Sequence, residues 1–245
     1  MSAYSSFANY YDELTANVDY DTRCDYIVSL LKKYGVSDGI LLDLACGTGS
    51  MSVRLSKAGY DVIGVDNSEE MLAQARENSY DSQILYLCQD MKELDLYGTI
   101  RACVCCLDSI NHLLSEDDVK TVFSKVSLFT ESGGLFVFDV NSPYKHRCVL
   151  ADNTFVYDMD DVYVVWQNRL DRATDTVDIT LDFFEYEDGC YYRECEEFSE
   201  RAYSVGTIKK LLDETGFEVV GAFDELTEND FNDETQRIYF VARKR

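Results

Sequence analysis

The stretch Leu41-Leu-Asp-Leu-Ala-Cys-Gly-Thr-Gly49 decides the fold. It begins inside a short apolar run, Ile40–Leu44, and ends where a segment of helical character, Ser50–Ala58, takes over. A short apolar run bounded by turn residues reads as a buried strand. Gly47 and Gly49 let the backbone turn tightly and approach a ligand without a Cβ in the way. The helix that follows presents unpaired N–H groups to an anionic group. Strand, glycine turn and helix in that order form the opening unit of a parallel α/β sheet.

Outward from this unit the same alternation continues. Upstream, Thr22–Tyr34 carries Tyr26, Ile27, Leu30 and Leu31 on one helical face and stops at Gly35. Downstream, Gly59 precedes the strand Asp61–Val65, and Ser68 caps a helix over Glu69–Asn78 with two acids in its first turn. Strands are expected at Ile84–Cys88, Ala102–Leu107 and Leu135–Val140. Between the last two lies the helix Glu116–Phe129, capped by Ser115 and closed off by Gly133-Gly134. Strands and helices alternating at this spacing predict a doubly wound, mostly parallel sheet of about seven strands with helices on both faces.

The pattern changes after Pro143, the only proline. Val162–Trp166, Val177–Phe184 and Cys190–Cys195 alternate or run aromatic, and Asp188-Gly189 is a strong hairpin turn. This region predicts an antiparallel β insertion. The α/β pattern resumes with helix Val205–Thr215 and strands Glu218–Asp224 and Arg237–Ala242.

Composition narrows the function classes. Acids outnumber bases 46 to 22, a net charge of −24, which disfavours a DNA or RNA substrate. The same field attracts a small cation, although solubility alone also explains it. No apolar run approaches the roughly 20 residues that span a bilayer, and Met1–Tyr10 does not read as a secretory signal. The nine cysteines lie partly in apolar runs such as Arg101-Ala-Cys-Val-Cys-Cys-Leu107, the habit of reduced thiols, so a cytoplasmic protein is expected. Neither the cysteine spacing nor the two distant histidines, His112 and His146, suggests a metal site.

Three acids follow the strands in series. Asp66 ends the second strand, about 20 residues beyond the glycine turn, where a carboxylate grips ribose hydroxyls in dinucleotide folds. Asp43 stands just before the turn, where it repels a diphosphate and welcomes an α-amino group. Asp90 at the end of the third strand offers an acceptor to an adenine amino group, and Met91 an apolar cover for the ring. Ser52 replaces the third glycine of G-x-G-x-x-G. Adenosine with an amino-acid tail accounts for this set without phosphate.

On these motifs Leu41–Asp139 resembles the class I S-adenosylmethionine-dependent methyltransferases, particularly bacterial small-molecule members. Asp43–Gly49 is similar to their first motif, Gly64-Val-Asp-Asn-Ser68 to the acidic end of their second strand, and Gln89-Asp-Met91 to their adenine-side motif. Leu107-Asp-Ser-Ile-Asn-His112 resembles the segment facing the methionine end and the substrate. Tyr4-Ser-Ser-Phe-Ala-Asn-Tyr-Tyr-Asp12 resembles the family's pre-core segment, which folds over the cofactor. The resemblance implies cofactor contacts from Tyr4 and Tyr11, from Asp43, Ala45, Cys46, Gly47 and Gly49, and from Asp66, Asn67 and Met71. Asp90, Met91, Leu107 and Asp108 complete that set. It also implies one domain over residues 1–245, with a helical or lid segment over 1–39, a last strand antiparallel to the rest, and the β insertion over 145–203 roofing the active site.

The expected reaction is methyl transfer to a nucleophilic nitrogen, oxygen or sulfur of a small molecule. Asn111, His112, Trp166 and Tyr192 are candidate substrate contacts. His112 is the weak candidate for a general base. A role of Asn111-His112 in hydrogen-bonding backbone is preferred, because methyl transfer proceeds largely by positioning. Phe155–Trp166 is a candidate edge for pairing with a second copy, a homodimer through the insertion. Two rivals share the fold: a non-catalytic protein that binds the cofactor, and an NAD(P)-dependent oxidoreductase, against which Ser52 and the lack of a Tyr-x-x-x-Lys pair count.

Overall fold

The structure, a computed structural model, describes residues 18–159 and 162–245. The first strands and helices are α1 (Tyr20–Lys33), β1 (Ile40–Leu44), α2 (Ser50–Lys57), β2 (Asp61–Asp66), α3 (Glu69–Asn78) and β3 (Leu85–Cys88). Then come β4 (Ile100–Cys105), α4 (Glu116–Phe129) and β5 (Thr130–Asn141). A π-helical turn, Lys145–Leu150, leads into β6 (Thr154–Asp158), β7 (Val162–Asp171), β8 (Thr176–Glu187) and β9 (Cys190–Arg201). Helix α5 (Val205–Glu214) and strands β10 (Phe217–Asp224) and β11 (Arg237–Lys244) finish the chain.

Seven strands form one sheet in the order β10-β11-β5-β4-β1-β2-β3. All neighbours are parallel except β11, which runs antiparallel to both β5 and β10. The fold class expected from the sequence is the one observed. Alternation along β1 explains the layering. Leu41 faces Ile27, Leu30 and Leu31 of α1 and Met51 and Leu55 of α2. Leu42 and Leu44 face Val119, Val122 and Phe123 of α4 and Ile208 and Leu212 of α5. Phe136, Phe138 and Phe240 extend this second layer in stacked contact. Truncating such a ring to alanine typically costs about 3–5 kcal/mol.

The boundaries that differ have local causes. Helix α1 starts at Tyr20 rather than Thr22, because Asp19 caps it by accepting from the Thr22 amide at 3.0 Å. Strand β4 stops at Cys105, not Leu107, since Leu107 and Asp108 turn into the left-handed region (φ +57° and +55°). Strand β5 begins at Thr130 and continues through Gly133-Gly134, where its register against β4 shifts. A Cβ at Gly134 would lie 2.8 Å from the Arg101 carbonyl oxygen, so glycine there permits close strand approach.

Strands β6 to β9 form a separate four-stranded antiparallel sheet in sequence order. Asp188 and Gly189, both with positive φ, make the two-residue turn joining β8 and β9. The stretch Phe155–Trp166, read from sequence as one edge, instead contributes to two paired strands, β6 and β7, of which only β6 lies at an edge of the sheet. Its own small core contains Leu150, Val164, Ile179 and Phe183. Among the described residues no helix is long and apolar enough to cross a membrane.

Candidate active site

Between the C-terminal ends of the parallel strands and the inner face of the four-stranded sheet lies a cavity of about 530 Å³. Ligands of open α/β sheets bind at this end, where strand order reverses; here β1 and β4 diverge into separate turns. Four turns build the floor: after β1 (Ala45 and Gly47), after β2 (Asp66–Ser68), after β3 (Gln89–Lys92) and after β4 (Leu107–Ser109). Tyr157, Val164, Trp166, Leu181, Phe198 and Glu200 form the roof.

The glycine turn is held by its neighbours. Ala45 adopts φ +59° and Gly47 φ +52°. The Gly47 amide donates to Asp66 Oδ2 at 2.8 Å, and the Ser68 amide donates to Oδ1 at 3.0 Å. Each carboxylate oxygen therefore retains acceptor capacity toward the cavity. Burial raises the Asp66 carboxyl, and the two amides oppose that shift. A Cβ built on Gly47 would meet nothing within 4 Å, so open space, not protein packing, lies on that side. Gly49 is different: its Cβ would stand 2.6 Å from the Tyr86 hydroxyl and 3.1 Å from Ala75 Cβ. Its absent side chain serves helix packing, and Gly49 does not line the cavity, contrary to the sequence expectation.

Asp43 is 2% exposed and accepts from Ser52 Oγ at 2.5 Å. Ser52, noticed only as a missing glycine, is thus the partner of the first acid. Burial pushes the Asp43 carboxyl up to about 6. It borders a smaller pocket of about 40 Å³ with Cys46, Gly47 and Ser50, which shares Ala45, Gly47 and Leu107 with the main cavity. Asn67, Met71, Asp90, Met91 and Asp108 line the main cavity as expected positions for contact, and Asp90 also accepts from the Lys92 amide at 2.8 Å. Tyr4 and Tyr11 lie outside the described residues.

The far half of the cavity holds a buried ionic cluster of which the sequence pointed only to Asp108. Asp139, fully buried at the end of β5, accepts from the Leu107 amide at 2.8 Å and the Asp108 amide at 3.0 Å. It thereby fixes the left-handed turn after β4. Arg237, the first residue of β11, donates to Asp139 and reaches Asp108 Oδ1 at 2.7 Å. Burial alone would raise the Asp108 carboxyl, but Arg237 and Lys145 outweigh it and hold it well below the usual range. Glu200 enters from β9, 5% exposed, and accepts from Asn141 Nδ2 at 3.2 Å. A lone acid in the apolar run Leu135–Val140 was the one available signal for Asp139, since a buried charge requires a partner. Nothing in local spacing marks Arg237 or Glu200.

Of the candidate substrate contacts, His112 and Trp166 line the cavity. Asn111 does not: fully buried, it donates to the carbonyls of Asn141 (3.1 Å) and Arg201 (2.9 Å) and accepts from the Asn141 amide. It is a clamp between the sheets, because every polar atom is spent on backbone. Tyr192 is also off the site. It sits eight residues from Glu200 along β9, roughly 25 Å on an extended strand, and is 54% exposed.

An adenosine-bearing ligand fits these residues: paired carboxylate oxygens at Asp66, open space over Gly47, and an acid at Asp43. Residues 41–134 match the family model for a methyltransferase domain. Over 243 residues the chain is 34% identical to the "Putative methyltransferase YqeM" of Bacillus subtilis, covering 98% of this chain and 97% of that one. A glycine/sarcosine N-methyltransferase of Halorhodospira halochloris is 30% identical, over 89% of this chain and 80% of its own. The crystal structure of an S-adenosylmethionine-dependent methyltransferase from Clostridium acetobutylicum matches with a TM-score of 0.88 at 34% identity, covering 99% of each chain.

Proposed function

Because this chain belongs to the class I S-adenosylmethionine-dependent methyltransferases, we propose that its cavity holds the cofactor over the glycine turn and a small-molecule methyl acceptor under the four-stranded sheet. The activity is methyl transfer and the cofactor is S-adenosylmethionine. In this reading Asp66 binds the ribose hydroxyls, Asp43 faces the α-amino group, and Asp90 with Met91 takes the adenine. His112 and Trp166 face the acceptor.

The observation that carries the assignment is Asp66. Each of its oxygens takes one backbone amide, at 2.8 and 3.0 Å, and keeps further acceptor capacity beside a glycine with empty space above it. Two vicinal hydroxyls satisfy such a carboxylate with charge-assisted hydrogen bonds. The cofactor supplies an electrophilic methyl group when bound. The protein supplies a near-attack distance of roughly 3–3.5 Å and exclusion of water by the roof.

A small acceptor is supported by the roofed cavity, whose volume of about 530 Å³ must hold cofactor and acceptor together. The glycine/sarcosine N-methyltransferase among the relatives points the same way. A cytoplasmic setting is supported by nine free cysteines, five of them buried. Calorimetry with S-adenosylhomocysteine tests the cofactor site: micromolar binding is expected, and no heat of binding by the intact chain overturns the assignment.

A further inference from the structure

The geometry points to Glu200 as the group that takes the proton from an ammonium-bearing acceptor, so that the enzyme methylates a small primary or secondary amine. The inference rests on the cavity being the methyl-transfer site.

Glu200 and His146 are buried neighbours whose nearest polar atoms face each other at 3.8 Å. His146 is fully buried, and its Nδ1 lies 2.9 Å from the Asp175 carbonyl oxygen. A carbonyl only accepts, so Nδ1 carries the hydrogen and Nε2 presents a lone pair. That Nε2 has no hydrogen-bond partner among the described residues, and it faces Glu200 Oε2 at 3.8 Å. Oε2 also accepts from Asn141 Nδ2 at 3.2 Å, so it meets one donor and one facing lone pair; a proton on Glu200 removes the repulsion between the lone pairs of Oε2 and Nε2. The other oxygen, Oε1, stands 3.9 Å from His112 Nε2 at the cavity wall.

Asp108 shares the cavity but not this behaviour. Its Oδ1 pairs with Arg237 at 2.7 Å and its Oδ2 accepts from Asn141 Nδ2 at 2.9 Å, so it stays ionised. Two carboxylates with divergent environments divide the acid–base roles between them. Around Glu200 stand Asp108 and His112 from the turn after β4, Lys145 and His146 from the π-helical turn, and Arg237 from β11. Burial and then the Asp108 charge push the Glu200 carboxyl up to about 8.

Such a group is far too weak a base to ionise an alcohol beforehand and could take that proton only during bond formation, whereas it is close enough to an ammonium to free the amine before attack. A thiol would leave a thiolate beside ionised Asp108, whereas an ammonium leaves a neutral amine. In the step, R–NH₃⁺ gives a proton to ionised Glu200, yielding R–NH₂ and the carboxylic acid beside the His146 Nε2 lone pair. The nitrogen lone pair then forms the N–C bond as the C–S bond breaks, its electron pair remaining on sulfur. The positive charge passes from sulfonium to the N-methylammonium, and Glu200 releases its proton to water when the products leave.

The test compares the wild-type chain with Glu200→Gln, both first titrated with S-adenosylhomocysteine. Equal affinity is expected; a wild-type chain that does not bind overturns the cofactor assignment instead, a separate failure. Release of S-adenosylhomocysteine is then followed with glycine, sarcosine and ethanolamine as amines, and with ethylene glycol and 2-mercaptoethanol as matched alcohol and thiol. Turnover is expected with amines only. Glu200→Gln should lower kcat/KM about 100-fold near pH 7, with the deficit shrinking toward about pH 9.5, where solution itself supplies free amine. In protein with labelled glutamate carboxyls, one ¹³C resonance should titrate near 8 and vanish in the variant. Turnover of the alcohol or thiol, a deficit equal at both pH values, a Glu200 carboxyl titrating in the ordinary range, or no amine turnover by a chain that binds S-adenosylhomocysteine overturns the inference.

Discussion

The amide of Gly47 donates to Oδ2 of Asp66 at 2.8 Å, tying the turn after β1 to the end of β2. The acid proposed to grip a ribose is thus already oriented by the backbone of the glycine turn.

Asp66→Ala should remove both ribose contacts at once. Each charge-assisted hydrogen bond contributes roughly 1.5–3 kcal/mol, so S-adenosylhomocysteine affinity should fall by at least about 100-fold. Calorimetry reads this directly, and an unchanged dissociation constant rejects the ribose role.

Asp43 predicts a trade between stability and binding. Its folded carboxyl is raised to about 6, above the unfolded value of 3.8. The folded state therefore binds the proton more tightly, and stability falls as pH rises from about 4 through 6. Asp43→Asn should remove that slope and stabilise the ligand-free protein above pH 6, on the order of 2 kcal/mol. An ammonium ligand favours ionised Asp43, so wild-type affinity for S-adenosylhomocysteine should rise up to about pH 6 and then level, while the variant binds weakly without this rise. Thermal melts and calorimetry across pH check both halves.

Gly64 tests packing behind the site. Its φ is unremarkable for any residue, but a Cβ would lie 2.6 Å from Tyr86 Cδ1. Gly64→Ala should cost about 1–3 kcal/mol in urea denaturation. Adding Tyr86→Leu, which removes the ring and leaves only Cys46 Sγ at 3.0 Å, should recover most of that cost; an undiminished cost in the double variant would reject overlap with the ring as the cause.

Arg237→Met strands Asp139 and Asp108 without their cation. Loss of one partner from a buried pair costs about 3–5 kcal/mol. Asp139→Asn should cost clearly less in the Arg237→Met background than in the wild type, as a double-mutant cycle by denaturation will report. Additive costs would show that the two residues act independently.

Tyr192→Ser should leave S-adenosylhomocysteine affinity and stability within about 0.5 kcal/mol of wild type, because Tyr192 is 54% exposed beyond the cavity rim. A large loss of affinity would return Tyr192 to the site.

The sequence by itself determined the sheet, its helices and the acids at the ends of β1, β2 and β3. These features are local: strand and helix periods, caps at Ser68 and Ser115, and a glycine turn read within a few residues of one another. The packing roles of Ser52 and Gly49 depend on partners the glycine turn does not show: Asp43 for the serine, Tyr86 and Ala75 for the glycine. Only the tertiary structure decided the far half of the cavity. Asp108, Asp139, Glu200 and Arg237 come from four segments, brought together by the antiparallel register of β11 on β5 and by the second sheet closing over the first. Side-chain periodicity shows which face of a strand is buried, and it placed neither the partner of a buried charge nor the point along β9 where Glu200 is inside and Tyr192 is out. The glycine turn and its acids were legible because the chain folds them locally; the proton acceptor was not, because no local spacing records a contact between strands so far apart.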